Sequence, residues 1–131
     1  MPANYRFLLD TNIIVHLLNR DPAVEAKILD AGEILVPIIA VGELFFGAAK
    51  SSRANENFLL VRSFVEQNTV LLCDFDVARE YGEVKKELKA LGRPIPENDI
   101  WIAAIARCWD LTLVTRDQHF QSVLGLRLEL W

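Results

Sequence analysis

Four acids carry the chemistry this sequence could perform. Asp10 follows the apolar run Phe7-Leu8-Leu9, and Asp117 follows Leu111-Thr112-Leu113-Val114-Thr115. Each stands where a buried strand leaves a sheet, and open α/β sheets bind ligands in the crevice beyond the carboxyl ends of their strands. Asp99 opens the apolar helix pattern of residues 100–106. Glu43 lies within an apolar segment between Ile39 and Phe46, where a carboxylate is costly to bury unless it is paired or bound to a cation. Four carboxylates converging at one end of a sheet repel one another and raise one another's pKa values. A divalent cation removes that conflict. Oxygen donors with no Cys or His cluster beside them favour Mg²⁺ or Mn²⁺ over zinc. Such an ion lowers the pKa of a bound water and stabilises charge on a phosphodiester. Each acid also has a plainer reading. Asp10 and Asp99 are acids at helix starts, favoured there by the helix dipole, and Glu43 can sit on a solvent edge of its helix.

The elements that must hold these acids alternate along the chain. Phe7, Leu8 and Leu9 read as a strand covered on both faces. Thr11 and Asn12 are good capping residues for a helix through Ile13, Ile14, Leu17 and Leu18. Asp21-Pro22 is a helix start, and Gly32 can end that helix. Residues 34–36 form a second strand closed by Pro37, and Ile38, Val41, Leu44, Phe45 and Ala48 fall at helical spacing. Phe58, Val61, Phe64 and Val65 make one face of a further helix, and residues 69–73 read as a strand. Asp76 can cap the helix that follows, which carries an apolar stripe from Val77 to Leu91 and ends at Gly92. The other faces of that helix mix both signs of charge, the pattern of a solvated surface; Lys85, Lys86, Lys89 and Arg93 are there to meet RNA phosphates if the surface does more. Asn98 is the natural N-cap of the helix that Asp99 opens. A strand follows at residues 111–115, and the alternation of residues 126–130 suits a final edge strand. Strands alternating with helices predict a three-layer α/β/α sandwich around a mainly parallel sheet.

The chain has 131 residues, which favours a single domain spanning residues 1–131. With 52% hydrophobic and 24% charged residues, it can build a packed core and is not a disordered segment. No apolar run approaches the roughly 20 residues of a membrane helix, and the N-terminus has no basic region, apolar core and cleavage site in sequence. Cys73 and Cys108 are far apart, lie in apolar surroundings and read as buried free thiols. These features point to the cytoplasm. His16 and His119 lack zinc-type spacing with the cysteines and read as ordinary structural or surface residues. The net charge of −4 is not that of an obvious nucleic-acid binder, but with the four acids set aside the remainder balances.

The residues also resemble a known family. Leu8-Leu9-Asp10-Thr11-Asn12-Ile13 looks like the opening signature of the PIN domain. The segments Val41-Gly42-Glu43-Leu44-Phe45-Phe46-Gly47-Ala48, Pro94-Ile95-Pro96-Glu97-Asn98-Asp99-Ile100-Trp101-Ile102-Ala103-Ala104 and Thr115-Arg116-Asp117 resemble its second, third and fourth motifs. Their order and spacing agree over essentially the whole chain, and its size matches the small PIN proteins of the VapC and FitB type. The resemblance implies a metal-dependent endoribonuclease that hydrolyses RNA phosphodiesters by metal-activated water. It also implies the toxin of a type II toxin–antitoxin pair. Asp10, Glu43, Asp99 and Asp117 match the acidic quartet. Asp10 and Asp99 are then the principal Mg²⁺ or Mn²⁺ ligands, with Glu43 and Asp117 acting through water. Thr11, Asn12 and Thr115 are supports, although Asn12 can simply cap a helix and Thr115 simply end a strand. A homodimer is implied, as is a VapB-like antitoxin that inserts a peptide into the active-site groove, with a larger complex on operator DNA.

Two competing functions remain on the sequence. A haloacid-dehalogenase-type phosphatase would use Asp10 as nucleophile, but Asp10-Thr11-Asn12 lacks the second Asp that supplies its acid/base. A FitB-like protein would serve mainly to bind a DNA-binding antitoxin in an operator complex, leaving the quartet partly idle. Cleavage of RNA by the isolated chain separates that reading from the nuclease.

Overall fold

The computed structural model describes residues 6–131. The reading of the N-terminus as lacking a secretory signal draws partly on residues 1–5, outside the described residues. Five strands form one sheet: β1 (Arg6–Leu9), β2 (Glu33–Pro37), β3 (Thr69–Leu71), β4 (Thr112–Val114) and β5 (Arg127–Glu129). Their order is β3-β2-β1-β4-β5, and every pairing is parallel. Six α-helices connect them: α1 (Thr11–Leu18), α2 (Pro22–Asp30), α3 (Ile38–Ala49), α4 (Ala54–Glu66), α5 (Phe75–Leu91) and α6 (Glu97–Cys108).

The pleat sorts the core into two halves. Leu8, Leu35 and Leu113 turn to one face and pack with Val77, Val84 and Leu88 of α5 and Ile102 and Ile105 of α6. Phe7, Leu9, Val36 and Val114 turn to the other and meet Ile13, Ile14, Val24, Val41, Leu44, Val61 and Phe64 from α1 to α4. Successive strand residues point to opposite faces, so a strand buried on both sides must be apolar along its covered length, as Phe7, Leu8 and Leu9 of β1 and Leu113 and Val114 of β4 are. The result is the three-layer, parallel α/β/α arrangement expected from the sequence.

Several details differ from expectation. The N-cap of α1 is Asp10 itself, not Thr11 or Asn12. At α5, Asp74 Oδ1 accepts from Val77 N at 3.0 Å. The helix therefore starts before Asp76, which falls in its first turn. The N-cap of α6 is Pro96, not Asn98, and no side chain caps this end. α2 ends at Ala31 rather than Gly32, whereas Asp21 caps its start as expected, accepting from Ala23 N at 2.9 Å and Val24 N at 3.3 Å. Gly92 ends α5 in the left-handed conformation, φ 65°, which costs glycine little. The cysteines are free, but Cys73 is half-buried and Cys108 exposed rather than buried. β5 is an edge strand as expected, and it runs parallel to β4.

Candidate active site

β1 and β4 are neighbours, with Leu9 opposite Val114. The residues that follow them, Asp10 and Thr115, are thereby placed side by side. Asp10 N donates to Val114 O at 2.9 Å, which holds the turn out of β1 against the end of β4. The Asp10 carboxylate is 3% exposed and both its oxygens are engaged. Oδ1 accepts from Thr11 N at 2.8 Å, and Oδ2 accepts from Thr115 Oγ1 at 2.8 Å. Asp10 is therefore both a helix cap and a cleft residue, so the two readings of it were not exclusive. Thr115, fully buried, also accepts from Asp117 N at 3.0 Å and so ties the fourth acid to the first.

Two of the other acids arrive from helices, and the third from the loop after β4, at the same end of the sheet. Glu43, half-buried in the second turn of α3, accepts from Thr11 Oγ1 at 2.6 Å. Asp99 lies in the first turn of α6 and Asp117 in the loop after β4. One cleft of about 500 Å³ is lined by all four acids together with Thr11, Asn12, Asn98 and His119. Thr115 stands behind Asp10 and outside that lining. Asn12 is exposed at the rim.

His119 was missed by the sequence reading. Its Nε2 lies 2.7 Å from Asp99 Oδ2, and an ionised carboxylate can only accept there, so the ring N–H donates. Its ring also packs against Phe120 at 4.8 Å between centroids. Ligand atoms of Asp99, Asp117 and His119 lie within 4.8 Å of one another, the tightest grouping of potential metal donors among the described residues. Asp10 and Glu43 line the same cleft outside that trio. The signal available in the sequence was position alone: His119 follows Asp117 by two residues, in the loop leaving the same strand.

The electrostatics of the cleft are those of crowded carboxylates. Burial pushes Asp10 up from 3.8 to about 6; the hydrogen bonds from Thr115 and Thr11 oppose this, and repulsion from Asp99 and Asp117 adds to it. Burial likewise raises Asp99, partly offset by His119, with repulsion from Glu43 and Asp117 acting in the same direction as burial. Carboxylate oxygens, two of them on groups held at raised pKa, in a cleft lined by no Lys or Arg among the described residues, fit a hard divalent ion.

Comparison with known proteins agrees with this arrangement. A family model described as PIN domain matches residues 7–125. "Ribonuclease VapC2" of Haemophilus influenzae is 37% identical over 132 residues, covering 96% of this chain and 98% of its own. "tRNA(fMet)-specific endonuclease VapC" of Shigella flexneri is 35% identical with the same coverage. VapBC2 of Rickettsia felis, solved bound to a DNA fragment from its promoter, superposes with a TM-score of 0.89 at 28% identity, covering 96% of this chain and 98% of that one. The chain belongs to the PIN-domain family, and within it to the VapC ribonucleases.

Proposed function

We propose that this chain is a single PIN domain spanning residues 1–131 that acts as a metal-dependent endoribonuclease, the toxin of a type II toxin–antitoxin pair. The observation that carries the reading is the convergence of Asp10, Glu43, Asp99 and Asp117 on one cleft with two of their carboxyls raised. These four are the catalytic and metal-holding residues, with Asp99 and Asp117 nearest each other and His119 beside them. Bound Mg²⁺ or Mn²⁺ supplies neutralising charge at the scissile phosphate and a lowered pKa for water. The chain's own part is orientation. Thr115 and the Thr11 N–H fix both oxygens of Asp10, the Thr11 hydroxyl fixes Glu43, and His119 fixes Asp99. Such outer partners hold ligands in one orientation and are worth about 10- to 100-fold in metal affinity. Asn12 at the rim is placed to meet substrate rather than the ion.

The partners follow from the relatives. The substrate is RNA, and the inhibitor is a VapB-like antitoxin inserting a peptide along α3. There Phe46 is 66% exposed beneath Lys50, and Phe45 packs on Phe58 with ring centroids 5.2 Å apart, a surface suited to an amphipathic segment. The working form is a cytoplasmic homodimer that joins its antitoxin on operator DNA. No helix among the described residues is long and apolar enough to cross a membrane. The test is sequencing of RNA ends after brief expression of the isolated chain beside its Asp10→Asn variant. New ends that depend on Asp10 support the nuclease, and identical profiles refute it.

A second reading has one observation in its favour. FitAcB from Neisseria gonorrhoeae contains a chain that superposes with a TM-score of 0.79 at 28% identity. On that reading the chain mainly binds an antitoxin at an operator, and the isolated protein leaves RNA intact while still joining the antitoxin–DNA complex.

A further inference from the structure

The cleft chemistry leaves unused a line of cations on α5. Lys85 and Lys89, four residues apart, share one side of α5, and Arg93, just past the left-handed Gly92 cap, lines the same groove. The three glutamates of α5 are engaged elsewhere, and its fourth acid, Asp76, lies in the first turn of the helix. Glu80 and Glu87 each hold Arg107 at 3.0 Å, and Glu83 pairs with Lys86 at 3.2 Å. Between the cations and the start of α6 runs a groove of about 320 Å³ floored by Leu88, Pro94, Ile95 and Ile100. One acid reaches it, Glu97, and Lys85 Nζ grips both its oxygens at 3.2 and 3.3 Å. Among the described residues no carboxylate comes within ion-pair distance of Lys89 or Arg93. Glu97 also lines the acidic cleft, so groove and cleft are contiguous.

We propose that this groove is the track for single-stranded RNA running to or from the cleft, with phosphates against Lys85, Lys89 and Arg93 and a base against the apolar floor. The inference rests on the ribonuclease reading above and specifies how that enzyme holds its substrate. A chain of net charge −4 repels a polyanion over most of its surface, so a local line of three cations against one acid decides where the strand can lie. Phosphate contacts set the position of the strand without reading its sequence. A base resting on aliphatic side chains adds contact area with little sequence preference. The track therefore accounts for placement of the strand, and base selection falls to other residues.

The test is binding of a short fluorescent single-stranded RNA of mixed sequence, followed by anisotropy in chelator across a salt series. The chains compared are wild type, the double variant K89Q/R93Q, and R53Q/R62Q, which carries the same charge change on the α4 side of the sheet. Each neutralised phosphate of a single strand contributes about 0.7 to the slope of log affinity against log salt. K89Q/R93Q should therefore be flatter than wild type by about 1.4, so a fourfold rise in salt costs wild type about sevenfold more affinity than it costs the variant. R53Q/R62Q should keep the wild-type slope. A K89Q/R93Q protein that melts like wild type and shows its slope overturns the track, as does an equal loss in both double variants. So does a groove that takes a polyglutamate peptide in preference to RNA. A wild-type chain that neither binds nor cleaves RNA overturns the ribonuclease reading itself. A chain that does both, with a slope indifferent to Lys89 and Arg93, overturns the track alone.

Discussion

Replacing Asp10 with Asn should stabilise the metal-free protein while abolishing its chemistry. The folded carboxyl titrates at about 6 against an ordinary value of 3.8, chiefly because it is buried. A raised pKa means that the folded chain keeps this proton at pH values where the unfolded chain has lost it. Below pH 3.8 both states are protonated and the group costs nothing. As pH rises from about 4 to about 6 the folded state loses ground, and above that the full penalty applies. The displacement corresponds to about 3 kcal/mol. Asn carries no such penalty. Its Oδ1 can still accept from Thr11 N, and its Nδ2 can donate to Thr115 Oγ1, which is 2.8 Å from Asp10 Oδ2. In chelator at pH 7.5, Asp10→Asn should melt higher than wild type by an amount on the order of 10 °C, and the gap should close by about pH 4. Mn²⁺ at about 1,000 times its Kd should reverse the order, because an ion bound to the folded chain at that excess adds about 4.1 kcal/mol to wild type and little to the variant. Thermal melts across pH, with and without Mn²⁺, measure all of this. A variant that melts below wild type at pH 7.5 in chelator, or a gap that does not change with pH, refutes the account of Asp10 as a carboxylate penalised chiefly by its burial.

Asp99→Asn should melt within about 1 kcal/mol of wild type, since no side chain caps α6, yet lose at least about a hundredfold in the rate of RNA cleavage with Mn²⁺, about 3 kcal/mol in the barrier; a normal rate removes it from the active site. His119→Ala should weaken Mn²⁺ binding about 10- to 100-fold by calorimetry, and His119→Gln, which can still donate to Asp99, should recover part of that loss. Equal binding by all three proteins would leave His119 a bystander. Arg107→Met should lower stability by about 1–3 kcal/mol. It strands Glu80 and Glu87 and vacates the bond to Leu124 O at 3.1 Å. An unchanged urea midpoint would show that this half-buried pair contributes nothing.

The parallel sheet was legible because its strands obey one rule: covered on both faces, they must be apolar throughout, as Leu8, Leu9, Leu113 and Val114 are. The four acids were legible as candidates because Asp10 and Asp117 follow apolar strands, Asp99 opens an apolar helix and Glu43 interrupts one. The caps were less so. Asp74 and Asp76 are equally able to accept from a helix N-terminus, and where β3 ends, at Leu71, decides between them. Asn98 is a better intrinsic cap than Pro96, but Asp99 N donates to Pro96 O at 3.0 Å, so the chain already turns at the proline. His119 was hidden for another reason. Its partner Asp99 is 20 residues earlier, on a helix that reaches the same sheet end by packing, a proximity that no local pattern records. The parallel direction of β5 was equally non-local, set by the Gln118–Ser122 3₁₀ turn and the crossing back that it allows.

The hydrogen bond between Thr115 and Asp10 spans 105 positions of the chain. It makes the acidic cleft wait during synthesis for residues more than a hundred positions after Asp10. β1 leaves the ribosome early, but it gains its second neighbour only when residues 112–114 have been made, and the residues that hold both ends of the quartet, Thr115, Asp117 and His119, come later still. A chain cut off before this point keeps Asp10, Glu43 and Asp99 without the hydroxyl that aligns the first or the imidazole that holds the third. Domains fold as units, so the cleft is assembled only once residues 112–119 have been made.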